Sequence, residues 1–229
     1  MRKKILFITG TDTDVGKTVL SLLVMRLLAG QDAVYLKPVQ TGCRDAQADS
    51  DAAFVHRFLP GGLPLGMTPA DCIHSLRPLP KAPLFAGEPV DFDGLRRFII
   101  EHAARHDVTV VEGAGGLMVP ITQQKSMLHL ALETDASLLV AGRAGLGTIN
   151  HTLLTLEAAR AARCLGVILM DPADLVPIQD RAENTAAIEH FSGLPVLGTI
   201  GRISDLPNPP NVALDVARKA LAALGLAGC

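Results

Sequence analysis

Gly10-Thr11-Asp12-Thr13-Asp14-Val15-Gly16-Lys17-Thr18 follows directly on the apolar run Ile5-Leu6-Phe7-Ile8. A short buried strand thus feeds a glycine-containing loop, and an apolar helix over 19–28 comes next. That order is the context of a phosphate-binding loop. Backbone N–H groups of such a loop and of the helix start point into one concavity and attract phosphate. Lys17 adds a point charge for the outer phosphates, and the Thr18 hydroxyl is placed to hold Mg²⁺. Gly16 lets the backbone come close where a side chain would block the nucleotide. Five residues separate Gly10 from Gly16, one more than the usual spacing, so Thr11 takes the first-glycine position.

Outward from the loop, short apolar runs alternate with helical patterns. The runs at 5–9, 33–36, 108–111, 137–140, 166–169 and 196–200 are apolar on both faces, as buried parallel strands are. Helical periodicity covers 17–29, 50–58, 91–106, 127–133, 149–163, 180–191 and 212–224. The alternation predicts an α/β fold: a doubly wound, mostly parallel sheet with helices on both faces, of the P-loop NTPase type. Residues 1–229 read as a single domain, with no internal repeat or boundary. Right-handed crossovers gather the strands' carboxyl ends on one edge, where ligands bind. The informative segments 11–18, 37–41, 112–116 and 141–150 all follow strand ends. Residues 59–89, rich in Pro and Gly, read either as an ordinary surface connection or, as loops of this length in a compact domain more often are, as a functional one.

Composition bounds the classes of function. The 229 residues are 48% hydrophobic and 19% charged, with a net charge of −2, which is globular and advertises no broad basic surface. Aromatics are 3% with no Trp, which argues against base stacking on nucleic acid. No apolar stretch reaches membrane-spanning length, and Arg2-Lys3-Lys4 precedes too few apolar residues for a secretory leader. Cys43, Cys72, Cys164 and Cys229 are scattered, without metal-ligand spacing, and read as reduced thiols. The expectation is a cytoplasmic protein with neither nucleic acid nor membrane as partner.

Four further groups carry chemistry. Lys37 ends the second strand in Lys37-Pro38-Val39-Gln40-Thr41-Gly42. Alone it is compatible with a solvated lysine; beside the loop it can stabilise a transferring phosphoryl group or an anionic substrate. In Ala48-Asp49-Ser50-Asp51, Asp49 suits a helix N-cap, while Asp51 is open between capping and a Mg²⁺ ligand. Glu112 closes the run 108–111 and precedes Gly113-Ala114-Gly115-Gly116. A buried unpaired carboxylate is costly, so a metal partner suits it. Gly145-Leu146-Gly147-Thr148-Ile149-Asn150-His151 opens a helix whose start is either plainly capped or an anion site.

Together these segments resemble, in order, the dethiobiotin synthetase family. The resemblance rests on the nine-residue loop, Lys37-Pro38-Val39-Gln40-Thr41-Gly42, Asp51, Glu112-Gly113-Ala114-Gly115-Gly116, Gly147 with Asn150-His151, and Leu194-Pro195-Val196-Leu197-Gly198. It implies an ATP- and Mg²⁺-dependent ligase that forms a cyclic urea from 7,8-diaminononanoate and CO2 or bicarbonate, as a homodimer with the substrate site at the interface. It implies Lys37 and Lys17 as catalytic charges and Thr18, Asp51 and Glu112 as the metal ligands. The nucleotide then contacts Thr13, Asp14, Val15, Gly16, Lys17, Thr18, Val19 and Asp51. Further along it meets Glu112, Gly113, Ala114 and Gly115, then Met170, Asp171, Gly201, Arg202 and Ile203. Lys37, Thr41, Pro83, Thr148, Ile149, Asn150 and Asn184 fall at substrate positions.

The chain departs from the family at three places. Ala82-Pro83-Leu84 stands where many members have Ser-Pro-His, and Met170 where many have an adenine-reading Asn, so ATP preference is loosened. Asn184 is the match to a contact on the following helix. A corrin-amidating relative would need a further glutaminase domain. A switch ATPase of the chromosome- or septum-positioning type would carry a second lysine early in the loop, where this chain has Thr11 and Asp12.

Overall fold

The computed structural model describes residues 4–226, and Cys229 lies outside them. Six strands form one parallel sheet: β1 (Lys4–Gly10), β2 (Ala33–Leu36), β5 (Val108–Gly116), β6 (Ser137–Arg143), β7 (Cys164–Met170) and β8 (Val196–Ile200). Their spatial order is β2-β5-β1-β6-β7-β8. The chain leaves β1 in one direction for β2 and β5, then returns across it to β6. β1 therefore stands where the winding reverses, and the crevice beyond its carboxyl end is the natural ligand site. The register brings three backbones level at that edge, with Gly10 opposite Gly116 on one side and Ala141 on the other.

Each sheet face is covered, which is why the strands are apolar throughout rather than alternating. Leu6 and Ile8 point to one face and pack with α1 (Lys17–Leu27) and α7 (Asn211–Ala223). Phe7 points to the other and packs with α3 (Phe92–Arg105) and α4 (Met127–Glu133). A third cluster joins Val140 and Val167 to Leu156 of α5 (Thr148–Ala158) and Ile188 of α6 (Ile178–Ser192). The period of two along Leu6-Phe7-Ile8 thus divides one strand between two cores. Burial of each such side chain contributes about 1.5–3 kcal/mol.

The structure adds a feature the apolar runs do not announce. Val39–Thr41 (β3) pairs in parallel with Ser75–Arg77 (β4). The segment 59–89 is therefore not a plain loop. It contains β4 and three short 3₁₀ turns, Pro64–Gly66, Pro69–Cys72 and Pro83–Phe85. Each turn opens on its proline, whose fixed φ suits the first helical position. Strands of three residues carry too little periodicity to be read locally. A second correction concerns α2 (Asp51–Phe58). Its N-cap is Ser50, whose hydroxyl accepts from Ala53 N at 2.9 Å, while Asp49 accepts from Asp45 N at 3.2 Å. No helix among the described residues is long and apolar enough to cross a membrane. Cys43, Cys72 and Cys164 are free thiols.

Candidate functional site

The loop 10–18 rises from β1 and turns into α1 at Gly16, whose φ of +91° is left-handed. Only glycine takes that conformation without strain, and an added Cβ would also lie 2.9 Å from Met170 Cε. Asp12 secures the loop from within, its Oδ1 accepting from Thr13 N at 2.7 Å and its carbonyl from Lys17 Nζ at 3.0 Å. Arg143, at the end of β6, donates to Thr13 O at 3.2 Å.

At the mouth of the loop lies a buried charge network. Lys37 is 4% exposed and Glu112 is 1% exposed. Lys37 Nζ meets Glu112 Oε1 at 2.9 Å, Asp51 Oδ2 at 2.6 Å and Gly113 O at 3.1 Å. Thr18 Oγ1 donates to Glu112 Oε1 at 2.8 Å. The other carboxylate oxygen, Oε2, accepts from Ser21 Oγ at 2.8 Å and Tyr35 OH at 2.9 Å. Glu112 is thus buried as its sequence position predicts, but not unpaired, because four side chains of this chain satisfy it.

Burial works against the Lys37 ammonium, yet the Glu112 and Asp51 carboxylates outweigh it and hold its pKa above the ordinary lysine value. Burial also opposes the Asp51 charge, and Lys37 outweighs it, so the Asp51 carboxyl lies below its usual range. Lys17 moves the other way: burial and then the neighbouring Lys37 lower it. Burial, reinforced by Glu112, pushes the Tyr35 phenol well above its ordinary value and keeps it a neutral donor.

Thr13, Asp14, Gly16, Lys17, Thr18, Val19, Thr41, Ala114 and Gly115 line a cleft of about 530 Å³ with Lys37, Asp51 and Glu112. That volume suits a nucleotide-sized ligand. Val15 and Gly113 lie behind the lining: Val15 is buried, and Gly113 supplies the carbonyl that Lys37 meets. Three hard oxygens converge here, Thr18 Oγ1, Asp51 Oδ2 and Glu112 Oε1. Two carboxylates and a hydroxyl, completed by phosphate oxygens, are the donor set of a phosphate-bound Mg²⁺. The Lys37 ammonium stands on the same carboxylates, so the site is built for positive charge.

The remaining predicted residues fall elsewhere. Met170, Asp171, Gly201, Arg202 and Ile203 lie where β7 and β8 end, and the buried Met170 packs against Gly16 of the loop. Asp171 N donates to Ile200 O at 2.8 Å. Its buried carboxylate accepts from Val176 N at 3.0 Å and from Arg181 at 2.8 Å, so it anchors the segment after β7. Asn184 Nδ2 donates to Ala144 O at 3.0 Å, tying α6 to the end of β6. Thr148 is buried with its hydroxyl 3.4 Å from that of Thr152, whereas Ile149 is half-buried and Asn150 exposed at the start of α5. Pro83 is buried in its 3₁₀ turn, where Leu84 N donates to Pro120 O at 3.2 Å.

Next to the loop's outer side, residues 10–13 and 116–120 and His151, Leu154 and Thr155 border a second hollow of about 460 Å³. A cavity of about 580 Å³ between α1, α2 and residues 59–69 has a mixed polar and apolar lining and holds none of the predicted residues. Sequence reasoning missed Ser21 and Tyr35. Their spacing holds the signal: Ser21 is four residues after Lys17 on a helix, and Tyr35 two before Lys37 along an extended strand.

Residues 4–210 match the AAA domain family AAA_26. Among solved structures, an ATP complex of a Cyanothece McdA variant superposes with a TM-score of 0.58 at 16% identity, covering 100% of this chain and 98% of the other. The septum site-determining protein MinD from Pyrococcus horikoshii OT3, in complex with Mg-ADP, gives 0.55 at 16% identity, covering 99% and 98%. At such identities the likeness shows the fold: a mostly parallel central sheet flanked by helices, of the P-loop NTPase type.

Sequence relatives are nearer. The biotin biosynthesis bifunctional protein BioCD of Bordetella avium (strain 197N) is 42% identical across 86% of this chain and 39% of its own length. The ATP-dependent dethiobiotin synthetase BioD of Paramagnetospirillum magneticum is 36% identical across 89% of this chain and 94% of that protein. That of Anaeromyxobacter sp. (strain Fw109-5) is 38% identical across 88% and 91%. With the phosphate loop, the buried Lys37 and the acidic strand end in the same order, the chain belongs to the dethiobiotin synthetase family, ATP-dependent enzymes of biotin biosynthesis.

Proposed function

We propose that this chain, as one domain over residues 1–229, is a cytoplasmic ligase that converts 7,8-diaminononanoate and CO2 to the cyclic urea dethiobiotin at the expense of ATP. The observation that carries the reading is Lys37: a lysine 4% exposed, at the mouth of the phosphate loop, held by Glu112 and Asp51. An ammonium is kept there, against its desolvation, to face charge that develops in reaction.

One substrate amine adds to CO2, forming an N–C bond and losing a proton, to give a carbamate. A carbamate oxygen attacks the γ-phosphorus of ATP, ADP leaves, and a mixed carbamic–phosphoric anhydride results. The second amine attacks the carbonyl carbon, loses its proton and expels phosphate. Each step concentrates negative charge on oxygen, and Lys17 and Lys37 are the residues placed to offset it. No protein nucleophile is required, so the site acts by positioning and electrostatics. Thr13 to Val19 cradle the phosphates, and Met170, Asp171 and Gly201 to Ile203 receive the base. Thr41 holds the carbamate or the amine, with Pro83 and Asn184 farther along the substrate path. Thr18, Asp51 and Glu112 would hold Mg²⁺, which would neutralise charge on the phosphate oxygens.

The same reading includes a homodimer. Met118 and Leu154 are 60% and 62% exposed, and both border the hollow beside the loop. A second copy docked there would bring its α5 start, Thr148 to Asn150, to the substrate carboxylate.

The test measures phosphate release by purified protein with Mg²⁺, bicarbonate and the diamine, using ATP, CTP or GTP, with the urea identified by mass spectrometry. Diamine-dependent release with matching urea is expected, and Lys37→Gln should abolish it while nucleotide still binds. Nucleotide hydrolysis indifferent to the diamine would overturn the proposal.

A further inference from the structure

Glu112 does not offer its two oxygens equally. Within a side chain that is 0% exposed, Oε1 meets Thr18 at 2.8 Å and Lys37 at 2.9 Å, two residues that line the cleft. Oε2 is turned inward to Ser21 at 2.8 Å and Tyr35 at 2.9 Å, and both donors are 0% exposed. Two local periodicities produce the convergence. Lys17 and Ser21 are four apart on α1 and share its face. Tyr35 and Lys37 are two apart along an extended segment and point the same way. β2 pairs with β5, Tyr35 opposite Val110, which brings the phenol beside the end of the acidic strand.

We infer that Ser21 and Tyr35 are positioning residues that pin Oε2 of Glu112 and leave Oε1 as its one oxygen for a cation at the phosphate site. The inference rests on the Mg²⁺-nucleotide reading proposed above. A carboxylate held by two hydroxyl donors on its far oxygen cannot rotate to give both oxygens to a metal without breaking charge-assisted bonds in a dry environment. The Ser21 hydroxyl also lies 2.9 Å from Lys17 O, so its single proton has two acceptors, and Tyr35 is the undivided donor. Such outer partners fix ligand orientation and commonly govern metal affinity. Tyr35→Phe keeps the ring in the core and deletes only the donor. Ser21→Ala does the same on the helix side.

The experiment uses the full chain and Mn²⁺ as the probe. Nucleotide affinity is measured in EDTA by calorimetry, and Mn²⁺ affinity of the nucleotide complex by counting free Mn²⁺ with electron paramagnetic resonance. Both variants should bind metal-free nucleotide as the parent does, which also reports that they fold. Their Mn²⁺ affinity should fall about tenfold. If the parent complex binds Mn²⁺ no better than free nucleotide does, the metal reading itself falls and this inference with it. If the parent binds and both variants bind equally well, only the positioning role is overturned. A parallel loss of metal-free nucleotide binding would make the two residues general structural supports and would likewise overturn it.

Discussion

Lys37→Met removes one ammonium and leaves the stem. In the parent, Nζ lies 2.6 Å from Asp51 and 2.9 Å from Glu112. At an effective dielectric of 20, each contact is an attraction of roughly 6 kcal/mol before the desolvation of the ammonium is subtracted. The two acids respond differently to its loss. The Asp51 side chain is 31% exposed and regains water, whereas that of Glu112 is 0% exposed and cannot. The net cost therefore falls mainly on Glu112, in the range of about 3–5 kcal/mol for one partner lost from a buried pair. For a domain of this size that lowers Tm by roughly 6–20 °C.

The pH dependence has a definite sign. Asp51 is lowered in the fold, so its contribution is present above about pH 4 and is lost as pH falls through the folded value. Lys37 is raised, so its contribution is complete below about pH 10 and lost as pH rises through its higher folded value. The gap between parent and variant is widest between those limits and narrows outside them. Urea denaturation in EDTA across this range is the assay. A variant within about 1 kcal/mol of the parent at neutral pH would refute the reasoning.

Gly16→Ala places a side chain at φ +91° and 2.9 Å from Met170 Cε, so a stability loss of about 1–3 kcal/mol and a large loss of nucleotide affinity are expected. Titration calorimetry with ATP checks this, and unchanged affinity would contradict the assigned loop geometry. Arg181→Ala strips the buried Asp171 carboxylate of a partner at 2.8 Å and should cost about 2–3 kcal/mol, seen as a lowered Tm in calorimetry. A variant as stable as the parent would show that the backbone donors of the segment after β7 suffice for Asp171. Leu154→Lys puts a charge on a residue 62% exposed beside the loop and should shift sedimentation toward monomer, with substrate KM raised more than nucleotide KM. An unchanged sedimentation coefficient would place the dimer elsewhere.

Local pattern carried most of the architecture. Each buried parallel strand is a largely apolar run, and each helix start bears a turn or cap residue nearby, so among the described residues the six strands of the main sheet and the seven α-helices stand where periodicity predicts them. β3 and β4 were not legible. Three residues give no period, and their partner lies more than thirty positions away through a Pro-rich segment. The cap at Ser50 rather than Asp49 was a choice between adjacent oxygen acceptors, decided by backbone conformation.

The sequence by itself determined that a phosphate loop, Lys37 and Glu112 occupy strand ends on one sheet edge, because spacing from an apolar run fixes where a strand must stop. Only the tertiary structure decided what surrounds them. Sheet order sets β2 beside β5 and α1 across their ends, and this brings Thr18, Ser21, Tyr35 and Lys37 onto the Glu112 carboxylate, with Asp51 joined to it through Lys37. Hydrogen bonding needs a partner within about 3 Å. Periodicity along the chain supplies which face a side chain takes, and strand order supplies the neighbour that face meets.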